Sequence, residues 1–287
     1  MTWFIFAGFT ALFESLKDLQ SKKTVPQVDI YLVSWSLFAL MLPVLAGYGC
    51  LHWIPPLGPQ FGLALAVGGV LNSIAVLIFV TALSSSDLSI TVPLLTLSPA
   101  FLLVTSPILV GEYPTITDIA GVLLIILGSY VLNLKEKQRG YLAPFRAILE
   151  QRGPRLMVLV AFIWSITSNF DKIGVLNSTP SFWVISLFSF IAILLLPVIA
   201  FKSRQPLTQI RSHYRALLLI GGLSSLTVLL QMQAIQLTLV TRVIAIKRLS
   251  TLLGVFWGHL FFKEQGIRER ALGAILMILG VFVITLA

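Results

Sequence analysis

The sequence predicts an all-α integral membrane protein: ten transmembrane helices arranged as two inverted five-helix repeats. Three observations predict it. Of 287 residues, 57% are hydrophobic and 11% charged, with a mean hydropathy of +0.96. A soluble domain carries about 25% charged residues, so this chain cannot cover a water-facing surface. That excludes a cytosolic enzyme, a secreted domain and a disordered chain. Apolar stretches recur along the chain near the ~20 residues that a spanning helix needs. Finally, the second half of the sequence repeats landmarks of the first.

In order, the expected spans are 3–20, 29–49, 60–83, 88–110 and 115–134, then 156–176, 181–201, 214–236, 240–262 and 268–286. None alternates as a barrel strand does. Met1-Thr2-Trp3-Phe4 has neither a basic n-region nor a small-x-small cleavage site, so the first stretch reads as a span and not as a signal peptide. The third span carries Gly68-Gly69. The fourth holds Pro93, Pro99 and Pro107, which predict irregular backbone, tolerable only inside protein or beside a cavity. The polar segment 135–155 carries Lys135, Lys137, Arg139, Arg146, Arg152 and Arg155; it reads either as a helix on the membrane surface or as a solvated linker. It divides the chain into a first repeat (1–134) and a second (156–287).

The repeat is specific. Leu42-Pro43-Val44-Leu45-Ala46 recurs as Leu196-Pro197-Val198-Ile199-Ala200 at an offset of 154, and Gly68-Gly69 recurs as Gly221-Gly222 at 153. Glu112, Gly121 and Gly128 recur as Glu264, Gly273 and Gly280 at 152. With an odd number of spans per copy, the second enters the membrane inverted, a common plan for secondary transporters. One side collects Lys22, Lys23, the linker cations, Lys202, Arg204, Arg211, Arg215, Lys263, Arg268 and Arg270, whereas the other shows only Arg242. The positive-inside rule makes the rich side cytoplasmic and puts both termini outside. The net charge of +9 thus reads as contact with anionic lipid, not nucleic acid.

These landmarks resemble the drug/metabolite transporter superfamily, in particular its EamA-type members. Gly111-Glu112 and Lys263-Glu264 each precede a short polar turn and a Gly-x6-Gly helix, and Pro93 and Gly68-Gly69 also fit. The resemblance spans essentially the whole chain. It implies movement of a small solute by alternating access, but not which solute. Ala245-Ile246-Lys247-Arg248-Leu249-Ser250 is similar to the Lys-Arg pair of plastid sugar-phosphate translocators, which engages the substrate phosphate. Its spacing to the helix end departs from that branch. The resemblance therefore implies anion binding at Lys247 and Arg248, not the substrate.

Charged residues within a span cost at least about 2.5–3.5 kcal/mol near the bilayer centre, so they face the interior and pair. Lys247 and Arg248 either bind a carboxylate or phosphate, Arg in bidentate fashion and Lys as a point charge, or pair with an acidic residue. Glu14 is the candidate for proton coupling, because burial raises a carboxylate's pKa. Glu14 and Asp18 share a helix face, with Lys17 beside them. Lys17, Asp18, Asp171 and Lys172 recur at symmetric places and read as structural pairs. Asn72, Asn169 and Gln231 are candidate solute ligands; Gln231 and Gln233 cannot share a face, so at most one reaches a cavity. Trp35, Trp164, Trp183 and Trp257 read as packing or anchoring, with ligand stacking as the rarer role. Glu112 and Glu264 read as structural, capping helix starts. The four repeated glycines read as close-packing positions.

A membrane enzyme is the main rival class, but the chain has no His-Glu-x-x-His, no aspartyl-protease pair and no Gly-x-Ser-x-Gly. His52, His213 and His259 lie far apart, and with the single Cys50 they form no metal-ligand cluster. A membrane receptor without transport is the remaining alternative. No cofactor and no metal is expected. The expected partners are a small-molecule solute, membrane lipid and, as a candidate, a second copy in a homodimer; nucleic acid is not among them.

Overall fold

The computed structural model describes residues 2–24, 28–40, 42–43, 45, 55–85, 92–133, 150–203, 206–262 and 267–285. Within them the chain forms α1 (Thr2–Thr24), α2 (Ile30–Ala39), α3 (Phe61–Ser85), a 3-10 helix (Val92–Leu97) leading into α4 (Ser98–Val110), and α5 (Ile116–Asn133). The second half forms α6 (Arg152–Leu176), α7 (Pro180–Lys202), α8 (Pro206–Leu237), α9 (Val240–Lys247), α10 (Leu249–Phe262) and α11 (Ile267–Thr285). These make ten helical segments, because the 3-10 helix and α4 share one segment and α9 and α10 share another. Phe61–Phe79, Arg152–Leu176, Pro180–Lys202 and Thr208–Leu237 are long and apolar enough to cross a membrane. Shorter apolar helices cover Leu94–Val110, Ile116–Val131 and Leu272–Thr285.

The described helices depart from the expected spans in several places. α6 starts four residues before position 156, using part of the anticipated linker; residues 135–149 lie outside the described residues. α8 starts at Pro206 and bends at His213, where φ is −118° and ψ 20°. At 32 residues it is about 48 Å long, more than the ~30 Å hydrocarbon layer. The fourth span changes from 3-10 to α geometry beside Pro99, as its prolines predict. The ninth is interrupted at Arg248 with neither Gly nor Pro beside it.

The chain forms two compact units, and each draws on both halves of the sequence. The first contains 1–73 and 170–237. Here α1 packs along α8, and its buried positions Ala7, Thr10, Ala11 and Ser15 follow one helix face. Small side chains there let helices approach closely where lipid supplies no hydrophobic drive. Val28, Leu32 and Val33 join Ile199, Leu217 and Ile220 in one core. Asp29 fixes the start of α2: its carboxylate accepts from the Tyr31 N–H at 2.9 Å, and its own N–H donates to Gln209 Oε1 at 2.8 Å.

Trp183 is the largest side chain wholly buried in this unit. Its indole N–H donates to Asp171 Oδ1 at 3.0 Å, and Phe61 meets the ring edge-on at 5.8 Å. The ring lies so close to Gly174 that a Cβ there would sit 2.2 Å from it. Gly174→Ala is therefore expected to displace the indole and lower stability by about 1–3 kcal/mol. Thermal unfolding in detergent tests this, and an unchanged midpoint would show that the ring has room to move.

The second unit contains 74–169 and 238–287. Its closest helix pair is α5 with α11. A Cβ on Gly121 would come within 2.7 Å of the Gly280 carbonyl, and one on Gly128 within 2.6 Å of the Gly273 carbonyl. Rising numbers on α5 meet falling numbers on α11, so the helices are antiparallel. Gly273 is the repeat equivalent of Gly121, and Gly280 that of Gly128. The two contacts therefore exchange under a local two-fold, as inverted repeats require. The glycines thus serve the close packing expected of them. On α11, Gly273, Met277, Gly280 and Ile284 are buried, whereas Leu272, Ile275, Leu279 and Phe282 are exposed. An exposed stripe of this chemistry suits lipid, not water.

Candidate functional site

A buried polar region described in the second unit runs along one face of α4. Ser98, Leu102, Thr105 and Ser106 are all buried there, at spacings that keep them on one side of the helix. At the start of α4, Ser98 Oγ donates to the Leu95 carbonyl at 3.0 Å and accepts from Arg248 Nη2. Two turns on, Ser106 Oγ donates to Asn169 Oδ1 at 2.8 Å. Asn169 Nδ2 donates to Thr105 Oγ1 at 3.0 Å and to the Ser165 carbonyl at 2.8 Å. The amide thus binds α4 to α6 through both its oxygen and its nitrogen.

Arg248 occupies the interruption of the ninth span. Lys247 ends α9, and Arg248 follows with φ −65° and ψ −11°. Its N–H reaches back to the Ala245 carbonyl at 3.0 Å, and its carbonyl accepts from Thr251 N–H at 3.0 Å. Both are i→i+3 bonds, so a 3-10 turn separates α9 from α10. At the repeat offset of 152, the Leu97–Ser98 junction corresponds to Leu249–Ser250. The fourth and ninth spans therefore change geometry at equivalent places, and Arg248 joins the two. Discontinuous helices of this kind build binding sites in transporters, because they free backbone groups and bring side chains to mid-membrane. Lys247 and Arg248 are both half-buried.

The start of α9 is tied to the first repeat. Glu112 Oε2 accepts from the Val240 N–H at 2.8 Å. Arg242 donates from Nε to Asp118 Oδ1 at 2.6 Å and from Nη2 to Oδ2 at 3.0 Å. The Asp118 carboxylate is wholly buried and also accepts from Thr115 N–H and Oγ1 at 2.9 and 2.8 Å. The Asp118 N–H in turn donates to Thr115 Oγ1 at 3.2 Å. Thr115-x-x-Asp118 is thus a capping box for α5 whose acidic member also holds Arg242. The Glu112 carboxylate thus meets the first residue of α9. Glu264 lies outside the described residues.

The other expected residues fall elsewhere. Asn72 and Gln231 belong to the first unit, and Asn169, Lys247 and Arg248 to the second. Asn72 Nδ2 donates to the Gly68 carbonyl of its own helix at 3.0 Å, and Gln231 is 5% exposed. Lys17 lies 2.8 Å from Glu14 and 3.5 Å from Asp18, bridging the two carboxylates of α1. Asp171 holds Trp183, and Lys172 Nζ donates to the Ile235 carbonyl near the end of α8 at 2.6 Å. A cation at a helix C-terminus is favourably placed. Trp164 packs on Phe79 and Trp257 on Phe256, whereas Trp35 donates to the Ala192 carbonyl at 3.2 Å. His52 and Cys50 lie outside the described residues, as does the His259 side chain. Among the described residues no cluster of His, Cys, Asp or Glu could hold a metal ion.

The EamA-like transporter family model matches residues 1–134 and again 151–286. The chain belongs to the EamA-like transporter family. It is accordingly a multi-pass membrane transporter of small solutes, and the family comprises transporters, not enzymes. A crystal structure with a TM-score of 0.79 and 17% identity, covering 99% of this chain and 96% of that one, has the same fold as this EamA-like transporter. Among curated proteins none matches the sequence. Asp118, Ser98, Thr105 and Ser106 were not anticipated from the sequence of this transporter. The Thr-x-x-Asp spacing after Gly111-Glu112 was a readable signal for Asp118. The prolines of the fourth span, carried across the duplication, were the signal for the break at Arg248.

Proposed function

We propose that the transported solute is a small polar organic anion and that Lys247 and Arg248 bind its carboxylate or phosphate. The observation that carries this reading is the position of Arg248: a guanidinium at the interruption of one span, beside the corresponding junction of its repeat. Such a group is costly in a membrane unless it has anionic or polar company. Ser98 supplies one neutral acceptor to it. A planar five-donor fork can hold Ser98 and still present donors to an anion. Asn169 contributes by fixing α4 against α6. Asn72 and Gln231 are proposed as further solute ligands, each to be tested by its own alanine variant.

Transport then proceeds by alternating access, as the inverted duplication supports, with the basic side cytoplasmic and both termini outside. Glu14 is proposed as the proton-coupling carboxylate. Its pairing with Lys17 means that proton uptake must break a 2.8 Å contact. The test is thermal stability of the purified protein against a solute panel, since a ligand that binds only the folded state raises apparent stability. Phosphorylated or carboxylated metabolites are expected to stabilise wild type and not Lys247→Gln/Arg248→Gln. Stabilisation by neutral or cationic solutes alone, unchanged in the variant, would overturn the anion reading. Binding without flux in liposomes would point to a receptor instead.

A further inference from the structure

We infer that Asp118 and Glu112 are positioning residues for the Lys247–Arg248 pair, acting through α9 as an asymmetric clamp. The inference rests on the anion reading above. α9 has only eight residues, so its C-terminal cations stand about 12 Å from its first residue. So short a helix has little stability of its own. Its backbone start is held by Glu112 and its first turn by Asp118 through Arg242. Asp118 is itself fixed by Thr115, and no part of it is exposed. A displacement at Val240 or Arg242 therefore passes along α9 to Lys247 at its end and Arg248 just beyond it. All the anchoring carboxylates come from the first repeat, and both cations from the second.

The Asp118–Arg242 part of this device has no counterpart in the duplicated sequence, although Glu112 recurs as Glu264. At the offset of 152, Arg242 corresponds to Ile90 and Asp118 to Arg270. Isoleucine and arginine cannot form an ion pair with each other. That ion pair, with its carboxylate from the first repeat and its guanidinium from the second, therefore has no symmetric copy, and it sits at the span that carries the cation pair. A feature needed only for folding two equivalent halves would have its counterpart in both. Its occurrence beside Lys247 and Arg248 fits a role in presenting them.

The test compares wild type, Asp118→Asn, Asp118→Glu and Arg248→Gln as full-length protein in detergent. One readout is hydrogen exchange of 240–248, which reports local opening and needs no ligand. The other is the inorganic phosphate concentration giving half-maximal thermal stabilisation. Asp118→Asn is expected to raise exchange in 240–248 about tenfold, to leave 152–169 unchanged, and to weaken the phosphate response about tenfold. Asp118→Glu, which keeps a carboxylate for both Thr115 and Arg242, restores both to within about threefold. Unchanged exchange in 240–248, or faster exchange with an unaltered phosphate response, overturns the clamp. If wild type ignores phosphate, or Arg248→Gln responds as wild type does, the anion reading fails, and the exchange arm alone upholds or overturns the hold on α9.

Discussion

Gly128→Leu is expected to lower stability by about 3 kcal/mol or more, at the upper end of ordinary overpacking. By soluble-protein scaling that is about 6–12 °C in the unfolding midpoint. The reason is what a Cβ meets there: the Gly273 carbonyl at 2.6 Å, the Met277 amide nitrogen at 2.6 Å and the Met277 side chain at 2.8 Å. Two of the three are backbone atoms of α11, which cannot rotate away. Relief requires the helices to part, and parting also loosens the Gly121–Gly280 contact. Gly8→Ala is the matched control, because nothing lies within 4 Å of a Cβ there. Alanine is about 1 kcal/mol better than glycine inside a helix, so that variant should hold or gain stability. Equal behaviour of the two variants would mean that α5 and α11 do not pack as described.

Arg248→Ala is expected to reduce solute flux about 10- to 100-fold at matched expression. The estimate takes about 1.5–3 kcal/mol for hydrogen bonds to a charged group, at 1.4 kcal/mol per tenfold. Arg248→Lys keeps the charge but loses the fork, so it should fall between wild type and alanine. Ser98→Ala removes the acceptor and leaves the cation, so its flux should stay near wild type. Uptake into proteoliposomes measures all three. Flux within about twofold of wild type for Arg248→Ala, against that expected loss, would make the residue a structural tie to Ser98. A larger loss in Ser98→Ala than in Arg248→Ala would assign the chemistry to α4 instead.

Much of this architecture was legible in the sequence because lipid imposes a simple rule. Backbone polar groups must be satisfied within a segment, so long apolar runs are helices almost wherever they occur. The duplication was legible too, since glycines and prolines keep their spacing when side-chain chemistry drifts. The prolines announced the irregular fourth span. The ninth gave no local signal, because a 3-10 turn can form without Gly or Pro. Contacts between distant positions were the least legible. Nothing in the local pattern links Asp118 to Arg242, or Glu112 to Val240, across more than a hundred residues. Asn169 reads from the sequence as a candidate solute ligand, but its period cannot say that α4 hydroxyls occupy its amide. Glu14 was recognised together with Lys17, whereas the closeness of their pairing depends on rotamers.

The crossing of α5 and α11 has the form of an isologous dimer interface drawn inside one polypeptide: each partner presents the same patch to the other. In a dimer every substitution at such a patch is made twice. Here the two copies can be altered one at a time. Position 121 faces position 280, and 128 faces 273. A side chain tolerated at one of the four sites sets the space left at its opposite, so the four glycines answer to two conditions and not to four. Variants across a facing pair should therefore be strongly non-additive, while variants in different pairs should combine more nearly as a sum.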